Sequence, residues 1–269
     1  MRRKSNSRHC FSALVLVGLV LGVTAFAQDK TGRVFDHSPW NDIVEATVSD
    51  EGWVNYQAIR QKWRRKLPAY LSSLGTVDVG TLNSKAERMA FWINAYNAVT
   101  IQILLDEGLP EEVPHARFFG KNIFKMKRYR IGGNVRSLDE IEHKILRKRH
   151  KDPRIHAALV CGASSCPRLR PEAYTGEKLD RQLTEEARRW IQKGRNKDGR
   201  PKNRLDKAEG VYHVSEIFKW FNEDFYGGDD EGVLKFLKKF GDKDNRTYLD
   251  KRDVDIEYLD YQWELNSQG

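Results

Sequence analysis

The sequence predicts an α+β protein, mainly helical, with a small sheet around a buried central helix. Three observations carry that expectation. The stretch Met89-Ala90-Phe91-Trp92-Ile93-Asn94-Ala95-Tyr96-Asn97-Ala98-Val99 is apolar on every face except for Asn94 and Asn97. A helix apolar all round belongs inside a core, not on a surface. Amphipathic helical patterns recur along the chain, whereas alternating strand-like segments are short and scattered. Seven Trp, ten Tyr and twelve Phe supply more aromatic surface than a disordered chain carries. No period of 20–50 residues repeats, which excludes a solenoid or propeller.

The elements follow from local signals. Ser38-Pro39 starts a helix, since Ser can cap and Pro suits the first helical position; Trp40, Ile43 and Val44 then face inward. Gly52 to Tyr56 turns into a second helical stretch running through Trp63 and Leu67 to Gly75. Ser84-Lys85-Ala86-Glu87 reads as a capping box opening the central helix, which Gly108 and Pro110 end near residue 107. Within it Asn94 and Asn97, at i and i+3, share one face. Lys127 to Ile131 alternates like a strand before the hairpin signal Gly132-Gly133-Asn134. Ser137-Leu138-Asp139-Glu140 is a second capping box, with Leu138, Ile141, Ile145 and Leu146 inward. Asp152-Pro153 breaks that helix.

Ile155 to Val160 is a short apolar run, expected as a buried strand, and it delivers the turn-rich Cys161 to Pro167 loop. A helix over 179–191 points Leu179, Leu183, Ala187 and Trp190 inward. Residues 194–207 are polar and punctuated by Gly and Pro, the pattern of an exposed basic loop. Val211 to Val214 reads as a strand, Ser215 caps a helix carrying Phe218 and Phe225, and another helix spans about 231–240. Tyr258 to Trp263 alternates like a final strand. Asp242-Lys243-Asp244 begins like a calcium loop, but Arg246 and Thr247 stand where a ligand and a glycine are required.

The first 27 residues read as an address. Arg2-Arg3-Lys4 precede the uncharged run Phe11–Ala27, which ends with small residues at Ala25 and Ala27. A spanning helix needs about 20 apolar residues, so the run reads as a cleaved signal peptide, with an uncleaved anchor as the alternative. Cleavage leaves one globular domain over 28–269 and an exported chain, periplasmic or extracellular in a bacterium. It also takes away Arg2, Arg3, Lys4 and Arg8, lowering the formal charge from +9 to +5. Export disfavours nucleic acid as a partner. Residues 117–154 are rich in Lys and Arg and can meet an anionic surface, or form a solvated face. No other stretch is long enough to span a membrane.

Cys10 leaves with the leader. Cys161 and Cys166 remain, five residues apart in an oxidising compartment. With His156 they are the candidate chemical site, and three readings stay open. The first is a structural disulfide, since the intervening turn can bring the two Cα atoms within reach. The second is a working thiol activated by an imidazole, either His156 or His213 from the later strand. On a strand, residues 156 and 161 would point to opposite faces, so His156 meets Cys161 only if the strand ends near Val160. The third is a metal site, which lacks a fourth ligand at suitable spacing. No metal or cofactor is therefore assigned. Asn94 and Asn97 either form a satisfied internal network or orient an imidazole or oxyanion. His143 and Arg147 are expected on an outer, solvated helix face.

Three segments together resemble the domain-of-unknown-function 547 family: Phe91 to Ala98, Ser137 to Arg147, and Asp152 to Pro167. Ile217 to Trp220, Asp224-Phe225 and Tyr261-Gln262-Trp263 are similar as well, so the likeness covers about residues 45–265. The resemblance implies no established activity. Some relatives are joined to glutaredoxin-like modules, which implies thiol chemistry by analogy. A slight likeness to papain- and transglutaminase-type folds lies in the central helix and the His-Ala pair after it. The nucleophilic Cys such enzymes carry on that helix has no counterpart here. The sequence thus points to a thiol-dependent site at Cys161, His156, Cys166, Asn94 and Asn97, for acyl or amide transfer or disulfide exchange. Its alternative is a binding module with a stapled Cys pair and a basic surface, its substrate or protein partner unknown.

Overall fold

The central helix organises everything else. In the computed structural model, which describes residues 33–114 and 122–268 together with Met1, α1 (Ser38–Thr47), α2 (Tyr56–Lys62) and α3 (Lys66–Gly75) pack ahead of α4 (Lys85–Asp106). Nearly every residue of α4 from Met89 to Leu104 is buried. Ser84 Oγ accepts the Glu87 N–H at 3.0 Å, but Glu87 does not complete a capping box. Its carboxylate instead accepts the Gly176 N–H at 3.1 Å and ties the helix start to a distant loop.

Strands β1 (Tyr129–Ile131) and β2 (Asn134–Arg136) form an antiparallel hairpin whose turn is Gly132-Gly133. Both glycines have positive φ, as this tight reversal demands. The Ser137 capping box is complete: Glu140 N–H donates to Ser137 Oγ at 3.1 Å and Ser137 N–H to Glu140 Oε2 at 3.3 Å. The helix it opens runs Glu140–His150 with π-type pairing, and Leu138, Ile141, Ile145 and Leu146 are buried as expected.

The run Ile155–Val160 is not a strand. Asp152 Oδ1 accepts the Arg154 N–H, Pro153 fixes the first turn, and Pro153–Ala157 coils into a 3-10 helix. Its apolar side chains are buried all the same, and that is why the composition imitates a core strand. Residues 156 and 161 are therefore not held to opposite faces of a strand.

After α5 (Leu179–Lys193) the chain makes a three-stranded sheet from β3 (Arg204–Asp206), β4 (Val211–Ser215) and, at the end, β5 (Asp255–Leu259). β4 pairs antiparallel with β3 and parallel with β5. Between β4 and β5 lie α6 (Ile217–Trp220), α7 (Asp230–Phe240) and α8 (Lys243–Leu249). Asp242 caps α8 through the Asn245 N–H and opens no calcium loop. Two apolar clusters result. One surrounds α4, and the other joins Trp190 of α5 to Phe218, Phe225 and Phe236, with the Trp190 and Phe218 rings stacked at 4.7 Å.

Two further expectations change. Residues 194–207 are not an exposed loop throughout: Asn196, Lys202 and Asn203 are buried, and 204–206 is β3. The terminal strand stops at Leu259, and the tail beyond it bridges other segments, Leu265 opposite Ala163 and Ser267 beside Val54. Among the described residues no helix is long and apolar enough to cross a membrane. Residues 2–27, within the segment that the sequence reading takes as a leader, lie outside them, as does part of the basic region 117–154.

Candidate functional site

The C-terminal tail shapes the cysteine loop. Ser164 N–H donates to Glu264 O at 2.7 Å, Asn266 N–H to Gly162 O at 2.8 Å, and Gln262 N–H to Ser165 Oγ at 2.8 Å. Gly162 sits at φ +91°, and a Cβ there would come within 2.4 Å of Leu104 Cδ1 on α4. Only glycine lets the loop lie this close to the central helix. Cys161 and Cys166 are joined by a disulfide across a Cα separation of 6.3 Å. Cys166 is 3% exposed, while Cys161 is partly exposed.

Both cysteines line a cavity of about 220 Å³. Tyr261 stands over them. Its hydroxyl donates to Cys166 Sγ at 3.2 Å and lies 3.3 Å from Cys161 Sγ. Burial, reinforced by Glu142 and Glu216, raises the phenol well above its ordinary value, so it stays a proton-bearing donor at neutral pH. The Cys161 N–H also points at Cys166 Sγ, 2.9 Å away. Phe124, Trp220, Phe221 and Trp263 give the cavity apolar walls, and Glu142, hydrogen-bonded by Tyr96 OH at 3.0 Å, gives it a carboxylate.

His156 lines the same cavity. Its ring stacks on Phe221 at 4.5 Å, and Nε2 is 2.7 Å from Asp224 Oδ2. That carboxylate also receives Arg147 Nε at 2.5 Å. Burial works against the Asp224 charge, but the hydrogen bonds and charges of His156 and Arg147 prevail and hold it at about 2. A fixed carboxylate of this kind orients an imidazole. Arg147 is thus largely buried in an ion network reaching Glu223, not placed on a solvated face. It also contacts His143 Nδ1 at 2.7 Å, and His143 lines the cavity.

The sequence-derived set is therefore divided. His156, Cys161 and Cys166 meet at one cavity. Asn94 and Asn97 do not line it. Asn94 donates to Tyr174 O at 2.7 Å and accepts from Tyr174 N–H at 2.9 Å. Asn97 donates to Ala158 O at 2.9 Å and accepts from Val160 N–H at 3.0 Å. Each amide clamps backbone, and Asn97 does so on the segment between His156 and Cys161. His213 lies apart on β4, 3.3 Å from Glu257, and does not line the cavity. Sequence reasoning left out Asp224, Tyr261 and Glu142. All three fall inside the stretches that the sequence reading takes as family-like, a signal that carries no role by itself.

One further group touches the loop. Lys202 is buried beneath it, with Nζ donating to Cys166 O. Burial pulls this amine down to about 7. Between that value and the ordinary lysine range the unfolded chain binds the extra proton, so stability rises with pH across the interval. Lys202→Met should flatten the rise between pH 7 and 10 and stabilise the chain at pH 7 by something on the order of 2 kcal/mol. Parallel stability–pH curves for the two proteins in denaturant melts would refute this.

Residues 80–191 match the model of a family described as a protein of unknown function, DUF547. The match takes in α4, the Ser137 helix, His156 and the whole cysteine loop, so the chain resembles that family across the core of its site. No curated protein and no solved structure matches the chain. A likeness to papain- or transglutaminase-type folds is not shown by these comparisons.

Proposed function

We propose that the cavity is a thiol–disulfide exchange site of an exported protein. The observation that carries the reading is the shared contact of the Tyr261 hydroxyl with both sulfurs at the wall of an apolar cavity. A buried structural staple needs no access and no proton donor. An exchanging disulfide needs both.

A substrate thiol entering the cavity gives its proton to His156, whose ring Asp224 holds in place. The thiolate attacks Cys161 Sγ, the more exposed sulfur. The Cys161–Cys166 bond breaks, and Cys166 leaves as a thiolate that accepts the Cys161 N–H and the Tyr261 hydroxyl. A second substrate thiolate then attacks the substrate sulfur of the mixed disulfide. It releases an oxidised substrate disulfide and the Cys161 thiolate, so two substrate thiols are oxidised while the protein's disulfide is reduced. An external disulfide restores the protein. Removal of residues 1–27 and export to an oxidising compartment belong to the same proposal, since there the pair is held oxidised between turnovers.

Tyr261→Phe tests this directly. It keeps the ring and the disulfide but removes the donor, and single-turnover reduction by glutathione should slow about tenfold. His156→Ala should slow it by roughly 10–100-fold near pH 7. If both variants react at the parental rate, the pair is a staple and the cavity belongs to a binding module.

A further inference from the structure

We propose that Asp206, Glu209 and His213 form a binding site for a divalent transition-metal cation of the zinc type, on the β3–β4 hairpin and apart from the cysteine cavity. The hairpin register brings the three together. Arg204 pairs with His213 and Asp206 with Val211, so Asp206 and His213 are diagonal neighbours on one face. Glu209 projects from the connecting turn. One ligand atom from each of the three side chains lies within 4.8 Å of the others.

The acidic pair would prove nothing alone. The independent observation is His213. The residue is 9% exposed, and its Nε2 is buried with no hydrogen-bond partner. The nearest acid on this side, Glu209 Oε2, is 3.9 Å away, too far for a hydrogen bond but consistent with a gap that an ion fills. On the other side of the ring, Nδ1 faces Glu257 Oε2 of β5 at 3.3 Å. A carboxylate there favours the proton on Nδ1 and turns the Nε2 lone pair toward Asp206 and Glu209. This carboxylate–histidine arrangement is the usual support of a metal-bound imidazole.

Asp206 is already held in place, because its Oδ1 accepts the Ala208 and Glu209 N–H groups. Its Oδ2 takes a long 3.3 Å contact from the half-exposed Arg204, a cation that a doubly charged ion would displace. One imidazole nitrogen and two carboxylate oxygens, with water completing the shell, suit zinc or a neighbouring transition metal. They suit calcium or magnesium less well, since those ions prefer oxygen alone. Such an ion would fasten the turn to the sheet and would stabilise the folded state by mass action.

The test uses the full chain without a polyhistidine tag, stripped with chelator and titrated calorimetrically with Zn²⁺. One ion per chain is expected, with a melting temperature raised by roughly 5–10 °C at about 100-fold excess over Kd. His213→Gln should abolish this site. Glu209→Gln, at an exposed turn position that cannot cost the fold, should weaken it at least about tenfold, and Glu257→Gln should weaken it by about 10–100-fold. Millimolar Mg²⁺ should not compete. Absence of a stoichiometric site, Zn²⁺ binding unmoved by Glu209→Gln, or Ca²⁺ bound as tightly as Zn²⁺ would each overturn the proposal.

Discussion

Asn97→Leu is expected to destabilise the protein by roughly 2–4 kcal/mol and to lower its melting temperature by about 5–15 °C. The amide is 2% exposed and serves two backbone groups at once, Ala158 O and Val160 N–H. Leucine has the same number of side-chain heavy atoms as asparagine but offers neither a donor nor an acceptor. Both backbone groups would then be buried without a partner, and each such group costs about 1–3 kcal/mol. The damage also has a direction. Residues 158–160 join His156 to Cys161 without regular pairing of their own, so losing the clamp loosens the approach to the cavity. Asn94→Leu should cost a similar amount through Tyr174, whose N–H and carbonyl both rest on that amide. The two clamps share no partner but sit one helical turn apart on α4, so the departure of the double variant from the summed single losses measures their coupling. Thermal and urea melts of the three variants decide the matter. A variant melting with the parent would mean that water or backbone rearrangement replaces the clamp.

Much of the architecture was legible because it rests on local periodicity. The inward sets of α4, α5 and the Ser137 helix follow from 3.6-residue spacing, and the Gly132-Gly133 reversal from the need for positive φ. The run Ile155–Val160 was misread for a physical reason. Burial on all sides produces an apolar run whether the backbone is extended or coiled, and Asp152-Pro153 sets a turn that periodicity does not register. Lys202 lies inside the segment 194–207 that reads as exposed, because a lysine in a polar, Gly/Pro-punctuated stretch ordinarily points to water. Here the Cys166 carbonyl, more than thirty residues away in sequence, receives it.

The candidate site divides along the same line. His156, Cys161 and Cys166 are near one another in sequence, so spacing alone could gather them. Asp224 reaches His156 across 68 residues and Tyr261 reaches Cys161 across 100. No local pattern encodes such contacts. The 3-10 turn Asn222–Asp224 that follows α6 and the tail after Leu259 bring them in, and only the packed structure places both.

Cys161→Ser and Cys166→Ser are expected to be alike in stability and unlike in reactivity. Either change removes the same bridge, and a loop this short yields only about 2 kcal/mol by chain entropy, so the two melts should coincide. Their remaining thiols differ. In Cys166→Ser the free thiol is Cys161, partly exposed at the cavity wall. In Cys161→Ser it is Cys166, 3% exposed beneath Tyr261. Pro167 offers no N–H to Cys166, but the Cys161 N–H and the Tyr261 hydroxyl do, and these contacts suit a leaving thiolate better than an attacking one. Access should decide the rate. Alkylation of Cys161 should run at least about tenfold faster than that of Cys166, and Cys166→Ser should trap a substrate thiol as a lasting mixed disulfide where Cys161→Ser does not. Adding His156→Ala to Cys166→Ser should bring the two alkylation rates closer, because the imidazole proposed to take the proton is gone. Mass spectrometry of the trapped species and timed alkylation provide both readings. Equal, slow alkylation of the two thiols, unmoved by His156→Ala, with no mixed disulfide on either, would leave the pair as a staple beside a binding cavity and end the exchange reading.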